Sequence, residues 1–157
     1  MRTWLPRVLA INLVIGVIWF GWPFLRSAET QVLNQHRQLL DRAAHRDWTR
    51  LFALMAEDYR DDWNPTREEA VALGRELFQG FLVLALPWQP SSVVLDGKTA
   101  PVTGFSKAGG SGAGLSQEII GRLNRLHSPF VFTWRKDGWK PGDWRLVSGA
   151  QEELGAR

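Results

Sequence analysis

Residues 130–147 read FVFTWRKDGWKPGDWRLV, and this stretch decides the architecture. Phe130, Phe132 and Trp134 alternate with Val131, Thr133 and Arg135, the period of two that sends successive side chains to opposite faces of a strand. Asp137 to Gly142 has turn chemistry, and Trp144, Leu146 and Val147 resume an apolar strand. The segment reads as a β-hairpin with an aromatic ladder facing a core. A second hairpin precedes it. Val93, Val94 and Leu95 lead into Asp96-Gly97, a two-residue turn signal, and Thr99 to Phe105 returns. Phe81 to Leu86 is a further apolar run, ended by Pro87 and Pro90. Between the hairpins, Ala108 to Gly114 carries four glycines in seven residues. With no Lys-Ser/Thr after it, this is no phosphate loop and reads as a mobile connection. Leu115 to Leu126 fits a strand or a short helix.

Upstream of these strands the periodicity changes to that of helices. Glu29 to Ala44 has no Gly or Pro, and Val32, Leu33, Leu39, Leu40, Ala43 and Ala44 form a loose apolar stripe. Asp47 is placed to cap a second helix, in which Trp48, Leu51, Phe52 and Met55 fall at i, i+3, i+4 and i+7. A third helix opens at Asn64-Pro65 or at the capping box Thr66 to Glu69, with Ala70, Leu73, Leu77, Phe78 and Phe81 as its buried side. Helices first and antiparallel strands afterwards predict an α+β domain, its helices packed on one face of a curved antiparallel sheet. Periodicity also places Trp48, Phe52, Phe78, Phe132 and Trp134 in one core.

The first 27 residues have a different character. Val8 to Leu25 is 18 residues long without a charge, between Arg7 and Arg26. From Trp4 to Trp22 a helix rises about 27 Å, near the thickness of a bilayer core. Trp4 at one end and Trp19 and Trp22 at the other occupy aromatic-belt positions. A cleaved signal would need a small-residue site, and a cut after Ala28 would put Arg26 at its third position back. The pattern predicts a retained single transmembrane helix over residues 1–27, followed by a domain over 28–157. Arg2, Arg7 and the terminal amine place the N-terminus in the cytoplasm and the domain outside the cytoplasmic membrane, in the periplasm if the cell is bacterial.

The chain has 157 residues, a net charge of +3 and nine tryptophans. Its surplus of positive charge belongs to the leading segment. Without Arg2, Arg7 and Arg26, sixteen basic residues face sixteen acidic ones, so the domain has no general attraction for phosphate backbones and nucleic acid is not an expected partner. The absence of cysteine excludes disulfides, thiolate metal sites and a thiol nucleophile. His36 and His45 lie on opposite faces of one helix, His127 is isolated, and the acidic run Glu57 to Asp62 lacks calcium-loop spacing. No metal and no cofactor is predicted.

The order of elements, the run Leu51 to Met55 leading into Asp58, Tyr59 and Asp61, and the closing Phe130, Phe132 and Trp134 with Trp144 and Leu146 resemble the nuclear-transport-factor-2-like, or steroid-isomerase-like, cone fold. The resemblance covers about Glu29 to Leu154 and is one of layout, without a diagnostic motif. It implies a conical pocket between sheet and helices, for which Tyr59, Asp61, Trp63, His127 and Trp134 are the candidate lining residues. In steroid isomerases a catalytic Asp precedes a proline in the corresponding turn. Here Asn64 precedes Pro65, so that base is absent, and Asp61 and Asp62 read either as substitutes or as solvated, helix-capping carboxylates. No catalytic residue is assigned. Trp88 and Trp139, in expected loops, are candidate partner contacts. Two functions follow as expectations: a membrane-anchored, noncatalytic binding or assembly module that meets a protein partner at the bilayer, or a cone-fold domain that binds a small apolar molecule or acts on one through an acidic and aromatic pocket.

Overall fold

The computed structural model describes residues 27–62 and 65–155. The expected span over residues 1–27, with Trp4, Trp19 and Trp22, lies outside the described residues except for Ser27, and Trp63 lies outside them too. Among the described residues no helix is long and apolar enough to cross a membrane.

Helix α1 (Ala28–Ala44) starts where the Ser27 hydroxyl accepts the Thr30 N–H at 3.2 Å, satisfying one of the free donors of the first turn. Its buried face is Val32, Gln35, His36 and Leu39. Two polar residues therefore sit at the centre of a stripe that the apolar pattern drew around them. The helix closes with Arg46 N–H on Ala43 O and Asp47 N–H on Arg42 O, the paired bonds of a Schellman motif, with Arg46 in the left-handed region at φ 58°. The Arg46 guanidinium then donates to Phe81 O, tying the end of α1 to the first strand. Asp47 accepts from Arg50 N–H and caps α2 (Trp48–Ala53).

After α2 the chain is stitched along the last strand. Leu146 N–H bonds Leu54 O, while Ala56, Arg60 and Asp62 N–H groups bond Leu146, Val147 and Gly149 carbonyls. Helix α3 (Arg67–Phe78) then opens on the expected capping box, Glu69 N–H to Thr66 Oγ1 at 3.2 Å and Thr66 N–H to Glu69 Oε2 at 2.8 Å.

Its buried face differs from the expectation. Val71 is inside, while Leu73 and Leu77 are 53% and 43% exposed. The reason is Gly74: a Cβ there would stand 3.1 Å from the Trp48 ring, so the helix turns this bare position, flanked by Val71 and Phe78, toward α2. Trp48 and Phe78 stack with centroids 6.1 Å apart.

The strands are β1 (Phe81–Ala85), β2 (Trp88–Val93), β3 (Thr99–Ser106), β4 (Gly109–Gly112), β5 (Phe130–Lys136) and β6 (Trp144–Gln151), with α4 (Ser116–Asn124) between β4 and β5 and a short α5 (Glu152–Gly155) at the end. An antiparallel sheet runs in the order β2-β3-β5-β6, and β1 pairs with β4 in a separate two-stranded sheet. The segment left open between strand and helix is thus helix α4.

The glycine-rich segment is a strand, where a mobile connection was expected. Gly110 has φ 144°, and a Cβ on it would fall 2.1 Å from Val83 O, so glycine here permits the close approach of two backbones. The β2–β3 turn closes with reciprocal bonds between Asp96 and Thr99, leaving Gly97 and Lys98 as its central residues. Gly97 alone takes a positive φ of 56°, which suits a type II′ turn.

Helices and sheet share one core, with Val32, Leu39, Leu51, Val102, Trp134 and Leu146 at its centre. Of the five aromatics expected inside, Trp134 is fully buried, while Trp48, Phe52, Phe78 and Phe132 are half-buried. Half-burial of four aromatics on the helix side of the sheet has a cause: they border a cavity or the solvent.

Candidate functional site

Between the helices and the sheet lies a cavity of about 260 Å³. Leu39 and Ala43 of α1, Val71 and Gly74 of α3, Phe130 and Phe132 of β5 and Leu146 of β6 are among its walls. Its residues with polar side-chain atoms are Ser106, whose hydroxyl reaches toward Pro87 O at 3.4 Å, and Trp48 with its indole N–H. The rest of the lining side chains are apolar, since each element turns its apolar stripe inward.

Beside this cavity, and behind Phe132, is an aromatic cluster. The His36 ring has centroid distances of 4.3 Å to Trp88, 4.9 Å to Phe132 and 6.1 Å to Trp134. Neither His36 nitrogen has a hydrogen-bond partner among the described residues, and the same holds for Gln35 Oε1, Trp88 Nε1 and Trp134 Nε1. Burial holds the His36 pKa down at about 4, because a charged imidazole in this apolar setting would lose its hydration. At neutral pH it is an uncharged ring packed among aromatics. Its signal in the sequence is its place between Val32 and Leu39 on one helical face. His45, by contrast, is exposed and pairs with Asp41.

The sequence-predicted pocket residues do not converge on the cavity. Tyr59 is buried, and its hydroxyl donates to Asp61 Oδ2 at 3.2 Å. Burial and the Asp61 carboxylate push the phenol well above its usual range. This pair lies on the segment stitched along β6, and neither residue lines the cavity. His127 is exposed beyond α4, its backbone N–H donating to Glu153 Oε1 at 2.7 Å. Trp134 belongs to the closed core, away from the cavity wall. Trp63 is outside the described residues.

Of the two candidate contact tryptophans, Trp88 is corrected. It stands in β2 with its ring folded inward over Gly104, where a Cβ would come within 2.5 Å of the indole, and it packs against His36 and Phe132. Trp139 is 76% exposed in the β5–β6 turn, with the Lys140 ammonium 5.9 Å from its ring. Among the described residues no three His, Asp or Glu side chains converge as metal ligands.

No protein-family model matches the chain, and no curated protein matches it in sequence. Solved structures match its fold. A conserved protein from Planctomyces limnophilus aligns with a TM-score of 0.58 at 15% identity, covering 78% of this chain and 93% of that one. An NTF2-like protein of unknown function from Pseudomonas putida aligns at 0.55 and 14% identity, over 78% and 83%. An NTF2-like protein from Cytophaga hutchinsonii aligns at 0.52 and 16%, over 79% and 96%. The fold is therefore nuclear-transport-factor-2-like: helices against a curved antiparallel sheet, as the order of elements implied.

Proposed function

We propose that this protein is a noncatalytic binding domain that takes a small apolar molecule between its helices and its sheet, and that its N-terminal segment holds it at the outer face of the cytoplasmic membrane. The observation that carries the reading is the lining of the 260 Å³ cavity, whose side chains are apolar except for the Ser106 hydroxyl and the Trp48 indole N–H. Such walls reward removal of apolar surface from water and offer no acid, base or nucleophile strong enough for turnover. An apolar cavity of about 150 Å³ accepts a benzene ring, so this one suits a substituted ring or a short branched chain. The uncharged run from Val8 to Leu25 with its flanking tryptophans supports the tether. A ligand that partitions into lipid would then meet the domain at the surface where it is most concentrated. A second reading, an assembly module that docks on a membrane protein, is favoured by the exposed Trp139.

Toluene titrated into the full-length protein tests the first reading through tryptophan fluorescence, since Trp48 lines the cavity. Saturable binding is expected, together with its loss in Ala43→Phe, which fills the space. Unsaturable partitioning, or binding that survives Ala43→Phe, would overturn it.

A further inference from the structure

A second and larger cavity, about 570 Å³, opens between the residues after α2, the first residue of α3 and the β5–β6 hairpin. Its charged walls include three arginines. Arg135 and Arg145 are direct partners across the β5–β6 ladder, a placement of like charges that opposes pairing unless something neutralises it. Neutralisation reaches only one of them. Asp58 grips Arg135 with both oxygens at 2.7 and 2.8 Å, and Asp137 takes its Nε at 2.7 Å, so two carboxylates of the cavity are spent on one guanidinium.

Arg145 donates through Nη1 to Gly142 O and Trp144 O at 2.9 and 3.1 Å, and no carboxylate lies within ion-pair distance of it among the described residues. On the same cavity, Arg67 binds Glu68 through Nε, while its guanidinium carbon lies 4.2 Å from the centre of the Phe52 ring. That stacking holds a planar fork whose other nitrogens have no ion-pair or hydrogen-bond partner among the described residues. Phe52, Met55 and Ala56 give the same cavity an apolar side.

We infer that this cavity is a binding site for a small organic monocarboxylate, its oxygens taken by Arg145 and Arg67 and its apolar body laid against Phe52 and Met55. A guanidinium fork matches a carboxylate in two parallel hydrogen bonds. Glu57, with Asp58 and Asp137, also lines the space, and their negative charge disfavours a dianion such as phosphate while tolerating a single charge. The apolar side gives an organic anion an advantage over an inorganic one.

The site is separate from the apolar cavity, so each can fail without the other. The experiment is calorimetric titration of the full-length protein at about pH 8, where phosphate is mostly the dianion, with benzoate and, in parallel, inorganic phosphate at equal ionic strength. Benzoate is expected to bind, and Arg145→Gln to weaken it at least about tenfold, equivalent to about 1.4 kcal/mol. Arg145→Lys should fall between, keeping the charge without the fork. Ala43→Phe, which blocks the apolar cavity, should leave benzoate affinity unchanged. Phosphate binding as tight as benzoate, benzoate binding indifferent to Arg145→Gln, or benzoate binding lost in Ala43→Phe would each overturn the assignment.

Discussion

Met55 lines both cavities, yet the spaces on its two sides differ in nearly every respect. The inner one holds about 260 Å³ within largely apolar walls, several of them from the hydrophobic core; the outer one holds about 570 Å³ within walls that include ion pairs at the surface. Space beside apolar walls forgoes dispersion contacts, whereas charged walls at the surface keep their hydration. As proposed sites, the inner space would select a ligand by volume and the outer by the geometry of charge. Changes to the inner wall should be felt in folding, and changes to the outer wall chiefly in binding and salt dependence.

The sharpest way to break this contrast is Leu146→Ala. Leu146 is buried, lines the inner cavity and bridges to Met55, and its truncation enlarges a space that already exists. A loss of about 2–5 kcal/mol is expected in urea denaturation. A loss below about 1 kcal/mol would show that the inner walls are not core.

The next effect is on pH. His36 has a pKa of about 4 in the folded chain against 6.5 free, so between those values the unfolded chain binds the proton first. The contribution is complete above pH 6.5 and drains away as pH falls toward 4, by as much as roughly 3 kcal/mol. His36→Phe should flatten this part of the stability profile, read as the difference between variant and parent from pH 4 to 7. Parallel profiles would show that the ring finds a proton acceptor or donor in the fold.

The smallest effect belongs to the outer wall. Asp58→Asn breaks an exposed, bidentate pair with Arg135, and stability should fall by less than about 1 kcal/mol, an effect that salt erases. A larger, salt-insensitive loss would mean that the two walls are energetically alike.

Much of the scaffold was legible because its signals are local. The β5–β6 hairpin follows directly from alternation, with Phe130, Phe132 and Trp134 on one face and the Asp137–Asp143 turn between. Even there, an extra residue near Val147 shifts the register between Thr133 and Trp134, so that Gly149 and Gln151 are buried in place of their neighbours. Alternation alone does not announce a bulge.

The buried face of α3 departs from its apolar periodicity for a different reason. Leu73 and Leu77 outrank Gly74 in hydrophobicity, but Gly74 is what admits the Trp48 ring, and that preference exists only once two helices meet. The site was less legible still. Asp58 and Arg135 are 77 residues apart, and each taken singly reads as a solvated charge. In sequence His36 reads only as lying on the face opposite His45, since its burial depends on Trp88 and Phe132, which reach it from other elements. Tyr59 and Asp61, two of the five candidate pocket residues, do meet, but on the segment along the margin of the sheet and away from the cavity.

The stitched segment from Leu54 to Asp62 has a consequence for how copies of this chain treat one another. Strand β6 is a margin of the four-stranded sheet, and an uncovered margin is a row of idle donors and acceptors that recruits a neighbouring chain into a growing ribbon. Bonds from Ala56, Arg60 and Asp62 to β6 carbonyls occupy that row. At the opposite margin, β2 carries Pro90 and a register irregularity just after it; proline brings no N–H, and an irregular margin gives an incoming strand no steady template. With one side spoken for and the other made inhospitable, neither margin of the four-stranded sheet offers a ready template for an incoming strand.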